Sequence, residues 1–395
     1  MNNKELFTLS DATRRIGPRS FTTLIKPGGS ACNLACKYCY YLEKAELYGG
    51  RQPIMDPELL ELYIKQYIEA VEHDVVEFCW HGGEPLMLGL DYFKRALKLQ
   101  RKHSRGKTIH NSLQTNGTLL DENWCRFFSD NGFLVGLSID GPKDIHDAHR
   151  VNRGGRPTFD RVVAGVNLMN RLHVEYNTLS VVSRLSEGRG AEIYRFLRDE
   201  LGSRFMQLLP AVDWLPSGEL APWSVSSEGF GQILCDVFDE WVRHDVGRSY
   251  VQIFDVTLSQ LCGLPSGICT MGETCGEGLA VEHNGDVYPC DHFVWPEYRL
   301  GNIRETSLAE LFDSEKRLKF ALFKRNDLPP ECLKCGHYHL CHGGCPGHRT
   351  AEARGGKNAL CKGLRMFFEH SAPAMNRMRE LLLADRAPAE IMNEL

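Results

Sequence analysis

Six short apolar segments, each followed by a polar loop and a stretch of helical periodicity, occupy the first half of the chain. They are rich in β-branched and aromatic residues and predict strands over 21–26, 75–80, 107–115, 134–140, 174–180 and 205–209. Helices are predicted from 57, over 121–130, over 158–172 and over 191–201. This alternation predicts an α/β protein with a parallel sheet. Periodicity alone does not distinguish six units of an open barrel from a doubly wound sheet.

The pattern changes in the second half of the chain. A loop rich in proline, glycine and serine spans 213–225, an amphipathic helix is predicted over 230–244, and a further helix over 364–383. Between them lie short elements and many cysteines, including a hairpin signal at Asn284-Gly285. We therefore predict an α/β domain over 1–225, a helical linker over 226–268, a cysteine-rich domain over 269–365 and a C-terminal helix over 366–395.

Composition narrows the class of protein. The net charge of −5 argues against a nucleic-acid-binding face, and no apolar run reaches the length of a membrane span. The stretch Met1 to Ser20 is polar and lacks the apolar centre of a signal peptide. We therefore predict a cytoplasmic protein without a nucleic-acid or membrane partner. In a reducing compartment its 15 cysteines are better explained as metal ligands or catalytic groups than as disulfides.

Three cysteines follow the first predicted strand at once. Cys32, Cys36 and Cys39 have the spacing C-x3-C-x2-C, and Tyr40 and Tyr41 come next. Thiolates this close can bind one iron–sulfur cluster, and three ligands leave one iron of a four-iron cluster open for chemistry. The alternative is a zinc site with one ligand missing.

Polar motifs also follow the next predicted strands. They are His81-Gly82-Gly83-Glu84-Pro85, Gln114-Thr115-Asn116-Gly117 and Ser138-Ile139-Asp140-Gly141-Pro142. The ends of parallel strands meet at one edge of a sheet, which is where α/β proteins place their chemistry. Ordinary tight turns are the alternative for the paired glycines and for Asp140.

Eight further cysteines lie between residues 269 and 361. They are Cys269, Cys275, Cys290, Cys332, Cys335, Cys341, Cys345 and Cys361. Eight thiolates make two complete four-ligand sites, which suit electron transfer or structural support because no ligand position stays open. Zinc ribbons share the C-x2-C spacing and remain an alternative. The other four, Cys79, Cys125, Cys235 and Cys262, are predicted to be core thiols.

Asp291 directly follows one of these cysteines. A carboxylate beside a buried metal site can lose hydration, and we expect this loss to raise its pKa towards the range of a general base. The alternative is a polar side chain that caps the next turn.

Taken together, these motifs resemble radical S-adenosylmethionine (SAM) enzymes with a SPASM extension, and within them the anaerobic sulfatase-maturating enzymes. Cys290-Asp291 and Gly343-Gly344-Cys345-Pro346 belong to the resemblance, which runs from about residue 21 to about 391. It implies a partial (β/α)6 barrel, then a small cysteine-rich SPASM domain and a C-terminal helix. His81 is a departure, since several relatives have glutamine there.

The resemblance also implies the cofactors, which are SAM and three [4Fe–4S] clusters. Cys32, Cys36 and Cys39 would bind the radical SAM cluster. Cys269, Cys275, Cys290 and Cys345 would bind the first auxiliary cluster, and Cys332, Cys335, Cys341 and Cys361 the second. The residues expected to contact SAM are Tyr41, His81, Gly82, Gly83, Glu84, Ser138, Arg150 and Val212.

The implied reaction oxidises a cysteine or serine in an unfolded sulfatase segment, of C/S-x-P/A-x-R type, to Cα-formylglycine. A 5′-deoxyadenosyl radical would abstract a Cβ hydrogen, Asp291 would accept the thiol or hydroxyl proton, and the auxiliary clusters the second electron. The expected partners are a nascent sulfatase and a flavodoxin- or ferredoxin-type reductant, with the enzyme a monomer. The alternatives are a maturase that crosslinks a small ribosomal peptide, and a non-enzymatic electron carrier or zinc-ribbon interaction protein.

Overall fold

A computed structural model describes residues 18–48, 54–349 and 356–395. Within these residues one sheet of ten strands forms the centre of the molecule. In chain order the strands are β1 Thr22–Lys26, β2 Val75–Trp80, β3 Thr108–Thr115, β4 Phe133–Ser138, β5 Tyr176–Val182, β6 Phe205–Pro210, β7 Tyr250–Val251, β8 Gly278–Glu282, β9 Asp286–Tyr288 and β10 Gly301–Asn302.

The helices lie between and after these strands. Numbered over the described residues they are α1 Pro57–Ala70, α2 Leu90–His103, α3 Glu122–Asp130, α4 Lys143–His149, α5 Phe159–Arg171, α6 Gly190–Arg195, α7 Ser227–His244, α8 Gln252–Leu261, α9 Leu308–Asp313, α10 Glu315–Asn326, α11 Pro330–Leu333, α12 Tyr338–Cys341 and α13 Cys361–Leu383. None of the described helices is both long and apolar enough to cross a membrane.

The strand order is β10-β9-β8-β1-β2-β3-β4-β5-β6-β7, with every pair from β8 to β7 parallel. The predicted parallel α/β sheet of β1 to β6 is therefore confirmed. The sheet also extends beyond the prediction, because β8 pairs in parallel with β1 over five residues. Strands from the predicted cysteine-rich domain thus continue the sheet of the predicted α/β domain. The predicted N-terminal stretch 1–17 and the segment 350–355 lie outside the described residues.

Helix α1 begins as predicted. The side chain of Asp56 accepts a hydrogen bond from the amide of Leu59, and Pro57 occupies the first helical position. The apolar residues of this helix form its buried face, which covers β1 and β2 with Tyr63 and Tyr67 at its centre. This packing fixes the end of β1, from which the first cysteine loop departs.

The region predicted as a linker, 226–268, packs as part of the core. Helix α7 crosses α13 so closely that a Cβ atom added to Gly363 would lie 1.9 Å from the carbonyl oxygen of Ser227. Phe254 stacks on Phe367 with ring centroids 5.4 Å apart. The C-terminal helix also differs from the prediction, since it begins at Cys361 and ends at Leu383. Cys361, a predicted cluster ligand, therefore lies in its first turn.

Candidate active site

The loop with the first three cysteines leaves the C-terminal end of β1. Backbone hydrogen bonds hold it against the segment after α4, from Ala35 N to Val151 O at 2.9 Å and from Lys37 N to His149 O at 3.2 Å. These bonds fix the loop at both sides of Cys36. The three thiols therefore gather at one edge of the sheet, as the sequence predicts.

The loop thiols are adjacent and partly buried. Loss of hydration, together with a smaller effect of the Cys39 thiol, raises the pKa of Cys36 to about 12 and that of Cys32 to about 11. Thiols with such a high pKa stay protonated in water at neutral pH. They lose the proton when a metal centre binds the sulfur. This donor set fits a cluster bound by three thiolates.

The turn after β2 lies directly above this loop. A Cβ atom on Gly83 would come within 2.0 Å of the carbonyl oxygen of Ala31, so only glycine fits. The carboxylate of Glu84 is buried and accepts hydrogen bonds from Thr115 Oγ1 and Asn116 N, both at 2.8 Å. Its side chain therefore joins the second and third strand loops, which leaves the turn's backbone as the part that can meet a ligand.

His81 stands at the start of the same turn. Burial lowers the pKa of its imidazole to about 4, so the ring is neutral near pH 7. Its Nδ1 accepts a hydrogen bond from the amide of Gly82 at 2.7 Å. Like the glutamine it replaces, it offers the site an uncharged polar group.

Asp140 and Arg150 form a buried ion pair beneath the cysteine loop. The Arg150 Nε donates to Asp140 Oδ1 at 3.0 Å, and the hydroxyl of Tyr38 donates to the other carboxylate oxygen. The amide of Val181 on β5 also donates to Asp140. Asp140 is therefore more than a turn residue, because it joins the loop, β4 and β5. The contact between Arg150 and SAM stays a prediction.

The other three predicted SAM contacts have different surroundings. Ser138 is buried at the end of β4, and Val212 is partly buried after β6. Tyr41 is enclosed, and its hydroxyl donates to both oxygens of Glu282 on β8 at 2.7 Å. Its side chain therefore joins the cysteine loop to β8, and its contact with SAM also stays a prediction.

The later cysteines lie in two groups whose thiols interact through charge, and their assignment to the two auxiliary clusters stays a prediction. In the first group, partial burial raises the pKa of Cys275 to about 12, Lys324 lowers it, and the thiols of Cys345 and Cys269 raise it. Burial raises the pKa of Cys290, and its neighbours Asp291, Cys345 and Cys269 contribute to the rise. The ammonium of Lys324 donates to the carbonyl of Cys269 at 2.6 Å, which holds this loop in place.

The second group surrounds the start of α13. Loss of hydration, together with smaller effects of the thiols of Cys335, Cys332 and Cys361, raises the pKa of Cys341 to about 11. Across the described residues, no three histidine, cysteine or acidic side chains are grouped as ligands of one metal ion. Two groups of four adjacent thiols fit iron–sulfur clusters, whose ligands surround a larger centre.

Asp291 connects the two halves of the site. Its Oδ2 accepts a hydrogen bond of 2.6 Å from Tyr40, which directly follows Cys39 of the loop. Loss of hydration raises the pKa of Asp291, but His292, Lys26, His81 and the Tyr40 hydroxyl lower it more and leave it below its usual value. The predicted rise in the pKa of Asp291 is therefore wrong, because the surrounding protein groups lower this pKa.

Comparisons with known proteins agree with this geometry. Residues 27–197 match the radical SAM superfamily, and residues 269–336 match SPASM, an iron–sulfur cluster-binding domain. The chain is 44% identical over 391 residues to a serine-type anaerobic sulfatase-maturating enzyme of Bacteroides thetaiotaomicron, covering 94% of each chain. It is 37% identical over 363 residues to a cysteine-type enzyme of Clostridium perfringens, covering 89% of this chain and 96% of that one. The chain belongs to the anaerobic sulfatase-maturating enzymes.

A solved structure supports the same membership. Native anSMEcpe with bound AdoMet and a Cp18Cys peptide superposes with a TM-score of 0.84 at 34% identity, covering 92% of this chain and 99% of that one. The expected architecture, a radical SAM domain followed by a SPASM domain and a C-terminal helix, is therefore confirmed. This sulfatase-maturating enzyme is an oxidoreductase whose cofactors are SAM and [4Fe–4S] clusters.

Sequence reasoning missed three side chains of this maturase's site: Lys26, Tyr40 and Glu282. Lys26 and Glu282 end β1 and β8 and are fully buried. A signal was present, because each is the one charged residue of its strand and stands at the strand's last position. The pairing of β1 with β8, which no local pattern predicts, brings them to the same edge.

Proposed function

We propose that this enzyme oxidises the cysteine or serine of a C/S-x-P/A-x-R sulfatase segment to formylglycine, with Asp291 as general base. The supporting observation is the Tyr40–Asp291 hydrogen bond of 2.6 Å. It puts one carboxylate between the radical SAM loop and the first SPASM cysteine group. A substrate side chain between these two groups is within reach of both hydrogen abstraction and proton removal.

The reaction removes one hydrogen atom, one proton and one electron from the substrate side chain. The auxiliary clusters, when bound, would accept the electron. With a cysteine substrate, water then hydrolyses the thioaldehyde to the aldehyde and releases sulfide. SAM and the reduced cluster, when bound, supply the 5′-deoxyadenosyl radical. Asp291 accepts the thiol or hydroxyl proton as the C=S or C=O bond forms, and the Tyr40 hydroxyl orients the carboxylate towards that proton. Asp291 is ionised at neutral pH and can accept a proton, but its lowered pKa makes it a weaker base than a carboxylate in water.

The chain's own residues suit the cofactors. We assign Cys32, Cys36 and Cys39 to the radical SAM cluster. Cys269, Cys275, Cys290 and Cys345 are assigned to the first auxiliary cluster and Cys332, Cys335, Cys341 and Cys361 to the second. SAM would bind over the backbone of Gly82 and Gly83, with Tyr41, His81, Glu84, Ser138, Arg150 and Val212 around it. The domain boundaries proposed from the sequence, 1–225, 226–268, 269–365 and 366–395, separate these two cofactor regions.

The partners follow from the reaction. We propose an unfolded sulfatase segment as substrate, because the target side chain has to reach Asp291 beside the cysteine loop. A flavodoxin- or ferredoxin-type protein supplies the electron for SAM cleavage, and the enzyme works as a monomer in the cytoplasm, where its thiols stay reduced.

The test is an anaerobic incubation of the reconstituted enzyme with reductant, SAM and a short peptide that contains C-x-P-x-R or S-x-P-x-R. Mass spectrometry measures the aldehyde product, and chromatography measures 5′-deoxyadenosine. We expect aldehyde from at least one peptide and about one 5′-deoxyadenosine for each aldehyde. A peptide with alanine at the target position is the control. Cleavage of SAM without any aldehyde from either peptide would contradict the proposal.

A further inference from the structure

Lys26 is a buried cation without a hydrogen-bond partner. It ends β1, its side chain has 0% of its area exposed, and its Nζ is bonded to no acceptor among the described residues. A buried ammonium is costly unless other groups compensate it, so such a group marks a site where a ligand completes its bonding.

Two aromatic rings provide part of that compensation. Nζ lies 3.7 Å from the ring centroid of Tyr41 and 5.9 Å from that of Tyr40. An aromatic face attracts a cation, but it does not replace a lone-pair acceptor. The N–H donors of Lys26 therefore still lack oxygen or nitrogen acceptors in the described part of the chain.

Two carboxylates lie near the ammonium, but each already has a hydroxyl donor. Glu282 is opposite Lys26 in the register of β1 and β8, and accepts from Tyr41 at 2.7 Å. Asp291 accepts from Tyr40 at 2.6 Å. Both interact with Lys26 through charge, without an ion pair to it. These two acids explain why a cation is tolerated here, but they do not use its donors.

The position of Lys26 indicates what it faces. A Cβ atom on Gly82 would lie 3.4 Å from the Cβ of Lys26, so the lysine starts beneath the glycine turn after β2. From there its side chain extends to the tyrosines that bind Glu282 and Asp291. The ammonium therefore lies between the glycine turn and the proposed base.

We propose that Lys26 Nζ donates a hydrogen bond to a backbone carbonyl oxygen of the peptide substrate, at the residue to be oxidised or its neighbour. The inference rests on the proposed function. A neutral carbonyl fits better than another carboxylate, because two acidic side chains already share this ammonium. A peptide carbonyl held here would position the adjacent Cβ and its thiol or hydroxyl beside Asp291.

The first test is Lys26→Met in the full-length, anaerobically reconstituted enzyme, since methionine keeps the length of the side chain without its charge. A fluorescent C-x-P-x-R peptide measures binding by anisotropy in the presence of SAM. We expect the peptide Kd and KM to rise about 10–100-fold, as the loss of a charged hydrogen bond predicts. Iron content should remain that of the wild type, which would show that the variant folds and holds its clusters.

Lys44→Met is the matched control. Lys44 is also buried and lies over an aromatic ring, that of Trp295, but its Nζ already has Glu43 as a partner at 3.3 Å. Its loss should leave the peptide Kd unchanged. A wild-type peptide Kd in Lys26→Met would overturn the inference, and so would a loss of iron or SAM affinity as its only effect.

A second measurement changes the peptide and uses the wild-type enzyme, so it does not depend on the folding of a variant. A thioamide at the target residue, or at the residue before it, replaces the carbonyl oxygen by a weaker acceptor. One of the two should raise the peptide Kd of the wild type about threefold or more. No effect from either thioamide would overturn the inference. Failure of the proposed function is distinguishable, because the unmodified peptide would then give no aldehyde with the wild-type enzyme.

Discussion

Asparagine has nearly the shape of aspartate but cannot accept a proton at neutral pH. Asp291→Asn should therefore keep the clusters and still cleave SAM, but lose formylglycine formation by a factor on the order of 10²–10⁴. The measurement is the yield of aldehyde beside the yield of 5′-deoxyadenosine in one anaerobic assay. Tyr40→Phe, which keeps the carboxylate and removes its donor, should lose less. A near-normal aldehyde yield from Asp291→Asn would show that another base acts.

Asp255, far from this chemistry in α8, gives a pH-dependent prediction. Burial raises the pKa of its carboxyl from 3.8 to about 6, and no hydrogen bond or ion pair reaches it from the described residues. The folded state thus binds more protons than the unfolded state between these values, and the resulting stability is lost as pH rises through about 6. Asp255→Asn should raise the free energy of unfolding at pH 7.5 by about 1–2 kcal/mol. This figure is smaller than the full pKa shift implies, because solvent screens the partly exposed carboxylate.

The unfolding midpoint of this variant should rise on the order of 2–4 °C at pH 7.5 and by less at pH 5. Differential scanning calorimetry at the two pH values measures it. Glu175→Gln, at an exposed position, should leave the midpoint unchanged at both. An equal gain at both pH values would show that the effect is not electrostatic.

At the scale of elements, the crossing of α7 and α13 positions Cys361, which we propose as a ligand of the second auxiliary cluster. Gly363 is two residues after Cys361, and its missing Cβ lets α13 approach Ser227. Gly363→Ala should force the helices apart, lower stability by about 1–3 kcal/mol and reduce iron content. Gly336→Ala, next to Cys335 with no atom near its added Cβ, is the control. Unchanged iron and stability in Gly363→Ala would contradict this role.

The pattern of apolar, capping and turn residues predicted those helices and strands whose bounds are set by neighbouring residues in the sequence. Strand β2 has the predicted bounds, and the cap at Asp56 starts α1 where expected. The pairing of β8 with β1 could not be predicted. The partners are more than 250 residues apart, and the local pattern of a strand does not specify which strand it pairs with. For the same reason, the cysteine motifs were visible in the sequence, but Lys26 and Glu282 became part of the site only once the sheet was known.

At the scale of the whole molecule, eleven cysteines in three groups predict three [4Fe–4S] clusters, or about 12 irons per chain. Replacing Cys32, Cys36 and Cys39 by alanine should remove about four irons and abolish SAM cleavage. Iron analysis after anaerobic reconstitution, with the electronic spectrum, measures both. Cys262→Ala, outside the three groups, should keep the full content. Retention of every iron in the triple variant would contradict the assignment.

The continuous sheet also predicts that the SAM-binding region does not fold without the SPASM region. A chain ending at residue 268 lacks β8, so β1 would present an unpaired edge from Thr22 to Lys26. It also lacks α13, which covers the apolar face of α7. We therefore expect this fragment to aggregate and to bind no SAM, as measured by size-exclusion chromatography and equilibrium dialysis. A full-length Cys332→Ala, Cys335→Ala variant, which loses a cluster but keeps β8, should stay monodisperse. A monodisperse fragment that binds SAM would show that β8 only extends a sheet that is already stable.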